Sequence, residues 1–485
     1  MKSSRILFAA SEITPLAKVG GLADVVGALP KSLTQKGMDV RVILPRYDTI
    51  DLQTLSHRII AEKIPVPFSG KDEQVTLIEA QVPGTKIPLL LIEHEHYLSR
   101  GGVYPPPTLV SETARFSFFS RAILAIFDEL AWWPNIIHCH DWHVSMIPIL
   151  LRSLGKQDSR YAKIKTLLTI HNLALQGGQE VAELCTQLSL SANDLAPSRT
   201  SDSTGLHTSH LAQGISTADK LSTVSPTYAQ EILTAQYGAG LEALISSRKD
   251  SLVGILNGID TQRFNPETDP AIASLYSASA LDGKKKNKIT LQSLCRLPAT
   301  RDPVIGIVSR LTDQKGVDLL AHIAKDIFAL PAQVVVLGAG DPAIERMLKD
   351  LEHEYPQQMH VRIGYDAAFA QQVYAGADMF AMPSKFEPCG LGQMIAMRYG
   401  AVPIVRATGG LADTVIDATN HTDSGNGFSF KPFTPEALHD AVLRAYRAYQ
   451  TPKEWHAILQ RAMKADFSWD TSSDAYIALY SSLRS

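Results

Sequence analysis

Short apolar runs alternate with segments whose apolar side chains recur every three or four positions, and this alternation continues along almost the whole chain. Residues 5–10 read as a strand. Leu22, Val25, Val26, Leu29 and Leu33 then follow at helical spacing, Gly37 can close that helix, and residues 40–44 return as a parallel strand, which completes one βαβ unit. Residues 135–140, 165–170, 220–224 and 252–256 read as later strands. The third of these runs into Ser225-Pro226, an N-cap with proline at the first helical position. A second series begins after the polar stretch 282–288, whose charge suits a solvated face. It comprises strands at 303–309, 333–337, 378–382, 402–405 and 428–430, a helix over 317–330, and Asp341-Pro342 opening another helix. Such alternation calls for parallel sheets covered on both faces. The expectation is an α/β chain of two doubly wound, Rossmann-like halves, with ligands beyond the carboxyl ends of the strands and the cleft between the halves as the site. A last helix, 472–483, carries apolar residues that should dock on one half or the other.

A length of 485 residues with 45% hydrophobic side chains is enough for two to four buried cores. Forty-six basic against 49 acidic side chains leave a net charge of −3, which gives no electrostatic footprint for nucleic acid or an anionic membrane. Any anionic ligand must therefore be caught by local charge. Four scattered cysteines, Cys139, Cys185, Cys295 and Cys389, do not make a disulfide framework and point to a reducing, cytoplasmic compartment. The apolar run at 6–10 is too short for a secretory signal, and no stretch is long enough to span a membrane.

Local charge and glycine placement supply the candidate chemistry. The pentapeptide Gly-Gly-Leu-Ala-Asp occurs at 20–24 and again at 409–413, each time after an apolar strand and at the start of a helical pattern. Glycine pairs at a helix start expose N–H groups at the positive end of the dipole, so two anion seats are expected, at Gly20-Gly21 and Gly409-Gly410. Nearly every other candidate follows a strand: Asp141 after 135–140, His171 after 165–170, Asn257 after 252–256, Arg310 and Lys315 after 303–309, Glu387, Cys389 and Gly390 after 378–382, and Thr408 after 402–405. Lys18 precedes the first glycine pair. His138, Cys139, His140 and His143 look metal-like, but strand alternation sets Cys139 on the face opposite the two flanking histidines, so a shared metal centre is not expected.

In order along the chain, Lys18-Val-Gly-Gly-Leu-Ala-Asp24, His140-Asp-Trp-His143, Thr169-Ile-His-Asn-Leu-Ala174, Val224-Ser-Pro-Thr-Tyr228, Leu256-Asn-Gly-Ile-Asp260, Ser309-Arg-Leu-Thr-Asp-Gln-Lys-Gly316, Phe386-Glu-Pro-Cys-Gly-Leu391 and Thr408-Gly-Gly-Leu-Ala-Asp413 resemble the motif set of the bacterial glycogen and starch synthases. The resemblance covers nearly the whole chain. It implies the GT-B fold, with an N-terminal acceptor-side domain over 1–255, a nucleotide-sugar domain over 256–465, and a helix in 466–485 crossing back to the first. It also implies retaining transfer of glucose from ADP-glucose to the non-reducing end of an α-1,4-glucan, either glycogen or a malto-oligosaccharide, without cofactor or metal. On that basis Arg310 and Lys315 resemble the family's diphosphate cations, with Lys18 as a third. Glu387 resembles the carboxylate on the donor glucose, with Cys389 and Gly390 supplying N–H groups. Asp141, His171 and Asn257 line the glucosyl and acceptor side, and Gly20, Gly21, Thr408, Gly409 and Gly410 complete the binding set. With no Asp-X-Asp pair at a strand end, fixed cations must stabilise the leaving diphosphate.

Two other readings compete. Gly338-Ala-Gly340-Asp-Pro-Ala343 fits the dinucleotide fingerprint, with Asp366 as a loose acidic partner, but an NAD enzyme leaves the other motifs unexplained. A non-catalytic or altered-acceptor glucan-binding protein of the same fold is suggested by residues 176–214. There the family usually carries aromatics, Asn, Gln and Lys, whereas this chain has Leu175, a Ser/Thr-rich segment and Ala212. Val19 also replaces a common threonine.

Overall fold

The computed structural model describes residues 4–197, 200–202 and 205–484. They divide into two compact units, one of Met1–Gly258 with Trp469–Ser485 and one of Ile259–Ser468.

The strands of the first unit are β1 (Arg5–Ala9), β2 (Asp39–Pro45), β3 (Arg58–Phe68), β4 (Lys71–Gln81), β5 (Pro88–Glu93), β6 (Ile136–His140), β7 (Lys165–Ile170), β8 (Gly178–Glu180), β9 (Thr200–Asp202), β10 (Gly205–Ser209), β11 (Lys220–Thr223) and β12 (Leu252–Gly254). Nine form one sheet in the order β12-β11-β7-β6-β1-β2-β5-β4-β3. At its centre Ile6 sits level with Val40 on one side and Ile136 on the other, all strands parallel. Every residue of β6 is buried and so are four of the five in β1, as strands covered on both faces require. The helix Gly21–Gln35 turns Leu22, Val25, Val26, Leu29 and Leu33 inward, and its chain reverses at Gly37 with φ 86°.

The sheet is not wholly parallel, which corrects the expectation from the alternation. β3 pairs antiparallel with β4, and β4 antiparallel with β5. β3 alternates exposed with buried positions towards its end, the pattern of a sheet edge with one wet face. Ser69 and Gly70, with φ of 51° and 74°, form the two-residue turn between Phe68 and Lys71. A separate antiparallel sheet, β8-β10-β9, lies within the divergent 176–214 segment, of which positions 198, 199, 203 and 204 lie outside the described residues.

The last helix, Trp469–Ser482, belongs to the first unit. Ser32 Oγ bonds Ser473 Oγ at 2.9 Å, the Lys36 ammonium donates to Asp474 at 2.5 Å, and Trp469, Tyr476 and Tyr480 join the core that holds Ile6 and Phe8.

The second unit contains β13 (Val304–Val308), β14 (Gln333–Gly338), β15 (Met359–Ile363), β16 (Met379–Met382), β17 (Val402–Arg406) and β18 (Phe428–Phe430), all parallel, in the order β15-β14-β13-β16-β17-β18. Residues 282–288 depart from the solvated face expected of them. They open the helix Asp282–Leu294, and Lys284 and Lys288 are buried because carbonyls and a carboxylate meet their ammonium groups. In each sheet the chain runs outward to one side and then resumes on the other. The reversals fall between β1 and β6 and between β13 and β16, the positions where doubly wound sheets open a crevice.

Candidate active site

In the first unit the loops after β1, β6 and β7 gather the candidates. Asp141 leaves β6 with φ 60° and ψ −174°, a backbone region that non-glycine residues rarely occupy, and it is 4% exposed. Its Oδ1 accepts from the backbone N–H of His171 at 2.6 Å and of Asn172 at 3.3 Å, which ties the end of β6 to the end of β7. Burial raises the Asp141 carboxyl to about 7, against the lowering effect of those two bonds. His171 Nε2 and His140 Nδ1 share a hydrogen bond of 2.9 Å, and His138 lies under His140 with ring centroids 4.1 Å apart. Burial lowers His171 to about 3, so its imidazole is neutral and available to a hydroxyl. Asn257, after β12, is buried with Oδ1 lacking a hydrogen-bond partner among the described residues.

The first glycine pair is not the open anion seat expected of it. Glu12, only 3% exposed, accepts from the N–H of Val19 at 2.7 Å and of Gly20 at 2.8 Å, so an internal carboxylate already takes the Gly20 donor. The other Glu12 oxygen receives Tyr104 OH at 3.0 Å, and Tyr104 OH lies 3.1 Å from His143 Nε2. Lys18 donates to both carboxylate oxygens of Asp24 at 2.8 Å, so the aspartate of the pentapeptide holds the lysine that precedes it. Gly21 opens the helix Gly21–Gln35.

In the second unit the loops after β13 and β16 lie against each other. Lys315 donates to Glu387 Oε2 at 2.6 Å, with the two side chains 16% and 8% exposed, and Ser384 Oγ donates to the same oxygen at 3.0 Å. Gln314 bonds the Phe386 carbonyl through its side chain, and its own carbonyl accepts from Lys385 N at 2.9 Å. Gly316, at φ 63°, fits because a Cβ there would lie 2.2 Å from the Pro383 carbonyl oxygen. Arg310 is exposed, and its guanidinium donates to Gln314 Oε1 in the same loop at 3.5 Å.

The second glycine pair likewise serves packing more than an open seat, which corrects that expectation too. A Cβ on Gly409 would lie 2.0 Å from the Glu387 carbonyl oxygen, one on Gly410 2.2 Å from that of Cys389, and Gly410 N already donates to the Pro388 carbonyl at 3.2 Å. These glycines let the loop after β17 press backbone to backbone on the Glu387 loop. Thr408 is the buried N-cap residue of the helix Gly409–Thr414. Cys389 and Gly390 lie in the turn just ahead of the helix Gly392–Arg398.

In the first unit Asp141 and His171 are thus joined to each other, Gly20 is tied to Glu12 and Lys18 to Asp24, and Asn257 is not tied to them; in the second Arg310, Lys315, Glu387, Cys389, Gly390, Thr408, Gly409 and Gly410 form one group. Sequence reasoning missed Glu12, Tyr104, Ser384 and Gln314, whose parts emerge only when distant loops meet. It also passed over Tyr365, which follows β15 and is 82% exposed, an unshielded ring beyond the carboxyl end of the same sheet. The dinucleotide fingerprint loses its chemistry here. Gly340 N donates to Glu345 at 2.8 Å, and Asp366 caps a helix through Phe369 N and pairs with Arg362. Among the described residues there is no cluster of side chains suited to a metal ion, and no helix is long and apolar enough to cross a membrane. None of the four cysteines is joined in a disulfide.

Comparison with known proteins agrees over the full length. Residues 5–247 match the family of the starch synthase catalytic domain, and residues 296–460 match glycosyl transferases group 1. The chain is 44% identical over 480 residues to a glycogen synthase of Anoxybacillus flavithermus, covering 99% of this chain and 98% of the relative. It is 43% identical over 487 residues to one of Geotalea daltonii, covering 98% of each. Among solved structures, the catalytic domain of Starch Synthase IV from Arabidopsis thaliana, bound to ADP and acarbose, superposes with a TM-score of 0.91 at 36% identity over 99% of both chains. Sucrose-phosphate synthase from Thermosynechococcus elongatus shares the fold at a TM-score of 0.61 and 19% identity.

Proposed function

The chain belongs to the glycogen and starch synthase family of glycosyltransferases with the GT-B fold, and from that premise we propose that its donor is ADP-glucose and its acceptor the non-reducing end of an α-1,4-glucan. The observation that carries this reading is the 2.6 Å pair of Lys315 with Glu387 beside Arg310, where the β13 and β16 loops meet at the reversal of the sheet. A diphosphate needs cations and a hexose needs a carboxylate acceptor for its hydroxyls, and this one place offers both. ADP bound to the 36% identical Starch Synthase IV domain supports the nucleotide, and acarbose there supports a glucan-like acceptor.

In the proposed reaction the bond from glucose C1 to the diphosphate oxygen breaks as the acceptor 4-hydroxyl oxygen bonds C1 from the same face. The acceptor proton passes to the departing phosphate oxygen, leaving ADP and a glucan longer by one unit, with the anomeric configuration retained. No side chain is needed as a nucleophile. Arg310 and Lys315 meet the charge that grows on the diphosphate, an effect strongest at the transition state. Glu387 holds donor hydroxyls, and Cys389, Gly390, Thr408, Gly409 and Gly410 shape that subsite. Lys18 serves the phosphate, Gly20 and Gly21 shape the loop that carries it, and Asp141, His171 and Asn257 orient the glucosyl unit and acceptor. Tyr365 offers its exposed ring to the base. Four scattered cysteines, none in a disulfide, support a reducing, cytoplasmic setting.

Transfer of labelled glucose to glycogen, with ADP-glucose or UDP-glucose as donor and a chelator present, tests this. Incorporation from ADP-glucose into amylase-sensitive product is expected. Label taken only from UDP-glucose, or nucleotide-sugar binding without transfer, would overturn it.

A further inference from the structure

Three histidines lead from the core of the first unit to its loops. His138 and His140 lie on one face of β6, both fully buried, and His171 follows β7 half-buried. His138 is held at both ring nitrogens. Tyr480 OH lies 2.8 Å from its Nδ1 and Thr169 Oγ1 2.6 Å from its Nε2, and Thr169 is tied in turn to Ser222 on β11 at 2.6 Å. His140 packs on His138 with ring centroids 4.1 Å apart and on Phe8 at 5.2 Å, and Phe8 and His138 close the triangle at 4.7 Å. The His140 ring therefore has a fixed plane and cannot turn without moving the core. Its Nδ1 meets His171 Nε2 at 2.9 Å, whereas its Nε2 is buried with no hydrogen-bond partner among the described residues.

Burial keeps both imidazoles below the ordinary histidine range, so each is neutral and carries a single N–H. Two proton arrangements fit the 2.9 Å contact. If His171 Nε2 donated, the one N–H of His140 would sit on Nε2, a donor sealed in the core with nothing to receive it. If His140 Nδ1 donates, only a lone pair is left bare there, and a buried acceptor without a partner is tolerated more often than a buried donor. The second arrangement places the single proton of His171 on Nδ1, the nitrogen turned from His140 and without a partner among the described residues. An unconstrained neutral imidazole favours its proton on Nε2, so the contact imposes the less common tautomer.

We propose that His140 is a positioning residue that fixes His171 as the Nδ1–H tautomer, so that His171 meets the sugar as a hydrogen-bond donor to a hydroxyl oxygen. This rests on the sugar-orienting part proposed above for His171 and adds the direction of its hydrogen bond. A hydroxyl that accepts there keeps its own hydrogen for another partner, and no charge on the imidazole is required.

Nitrogen NMR of the intact protein with isotope-labelled histidine, the His171 signals assigned by their loss in His171→Ala, reads the tautomer. It needs no substrate, so it decides this inference separately from the donor and acceptor reading. A proton on Nδ1 is expected in wild type, and a proton on Nε2 would overturn the inference. Two variants test the consequence for transfer. His140→Phe keeps a ring against Phe8 and His138 but removes the donor, while His140→Asn loses the ring and keeps an N–H near the place of Nδ1. Turnover with ADP-glucose and glycogen should fall at least ~10-fold in His140→Phe and stay within ~3-fold of wild type in His140→Asn. In His140→Phe the His171 proton should move to Nε2. A part in packing alone predicts that the phenylalanine variant is the better enzyme, and that order, equal turnover in the two variants, or an unmoved His171 proton would overturn the positioning role.

Discussion

Among single residues, Arg310, Lys315 and Glu387 carry the proposed transfer. Arg310→Ala should lose at least ~100-fold in turnover with the fold intact, because an exposed guanidinium contributes to the leaving group and little to packing. Lys315→Ala should lose a similar factor but also stability, by roughly 3–5 kcal/mol at most, since it leaves the 8% exposed Glu387 carboxylate without its cation. Release of ADP and urea unfolding, measured side by side on both variants, separate the two effects. Equal stability loss in both variants would contradict the assignment. These three residues were legible in the sequence because their motifs are local, each a few positions after a strand. Their neighbours were not. Glu12 reaches Val19 and Gly20 over a short span, but Tyr104 joins it from 92 positions away, and Ser384 and Gln314 matter only where two loops meet. The same closeness overturned the anion seats, since a glycine pair can as well admit a neighbouring backbone as a phosphate.

At the scale of elements, the buried parallel strands announced themselves by continuous apolar runs, and the observed β1, β6, β7, β13, β14 and β17 fall within a residue or two of the expected positions. The hairpin β3–β4 did not, because half its side chains face water and the alternation is broken by register shifts between Ile59 and Ile64. The Ser69-Gly70 turn was the available signal. The helix Trp469–Ser482 is tied to the sheet by Tyr480 OH on His138 Nδ1 at 2.8 Å, both fully buried. Tyr480→Phe should therefore cost about 1–3 kcal/mol in denaturant unfolding, from one imidazole nitrogen left without its partner in the core, and a change within error would show that this bond carries no stability. Gly316→Ala should destabilise by more than about 1 kcal/mol, because its φ and the Pro383 carbonyl both exclude a Cβ, and should lower turnover by displacing Lys315.

For the molecule as a whole, pH acts unevenly on the two units. His138, His140, His143, His171 and His210 all lie in the first unit, and burial holds each below the ordinary histidine range, His143, His171 and His210 to about 3. Between those values and the ordinary range the unfolded chain binds more protons than the folded one, so stability is lost as pH falls from about 6.5 towards 3. Asp141, raised to about 7 by burial, acts in the opposite sense, with stability declining as pH rises from about 4 to 7, but it is one group against five. Thermal unfolding followed by hydrogen exchange at pH 7 and pH 5 should show the first unit weakening more than the second on acidification, and the reverse order would contradict the burial of these imidazoles. The proposed reaction needs fixed cations of the β13 loop to hold the diphosphate of the donor, and calorimetric binding of ADP in the presence of a chelator decides whether they do. Wild-type protein should bind, and Arg310→Ala and Lys315→Ala should each bind at least ~10-fold more weakly. Wild-type binding that vanishes with the chelator, or variants that bind ADP as wild type does, would contradict it.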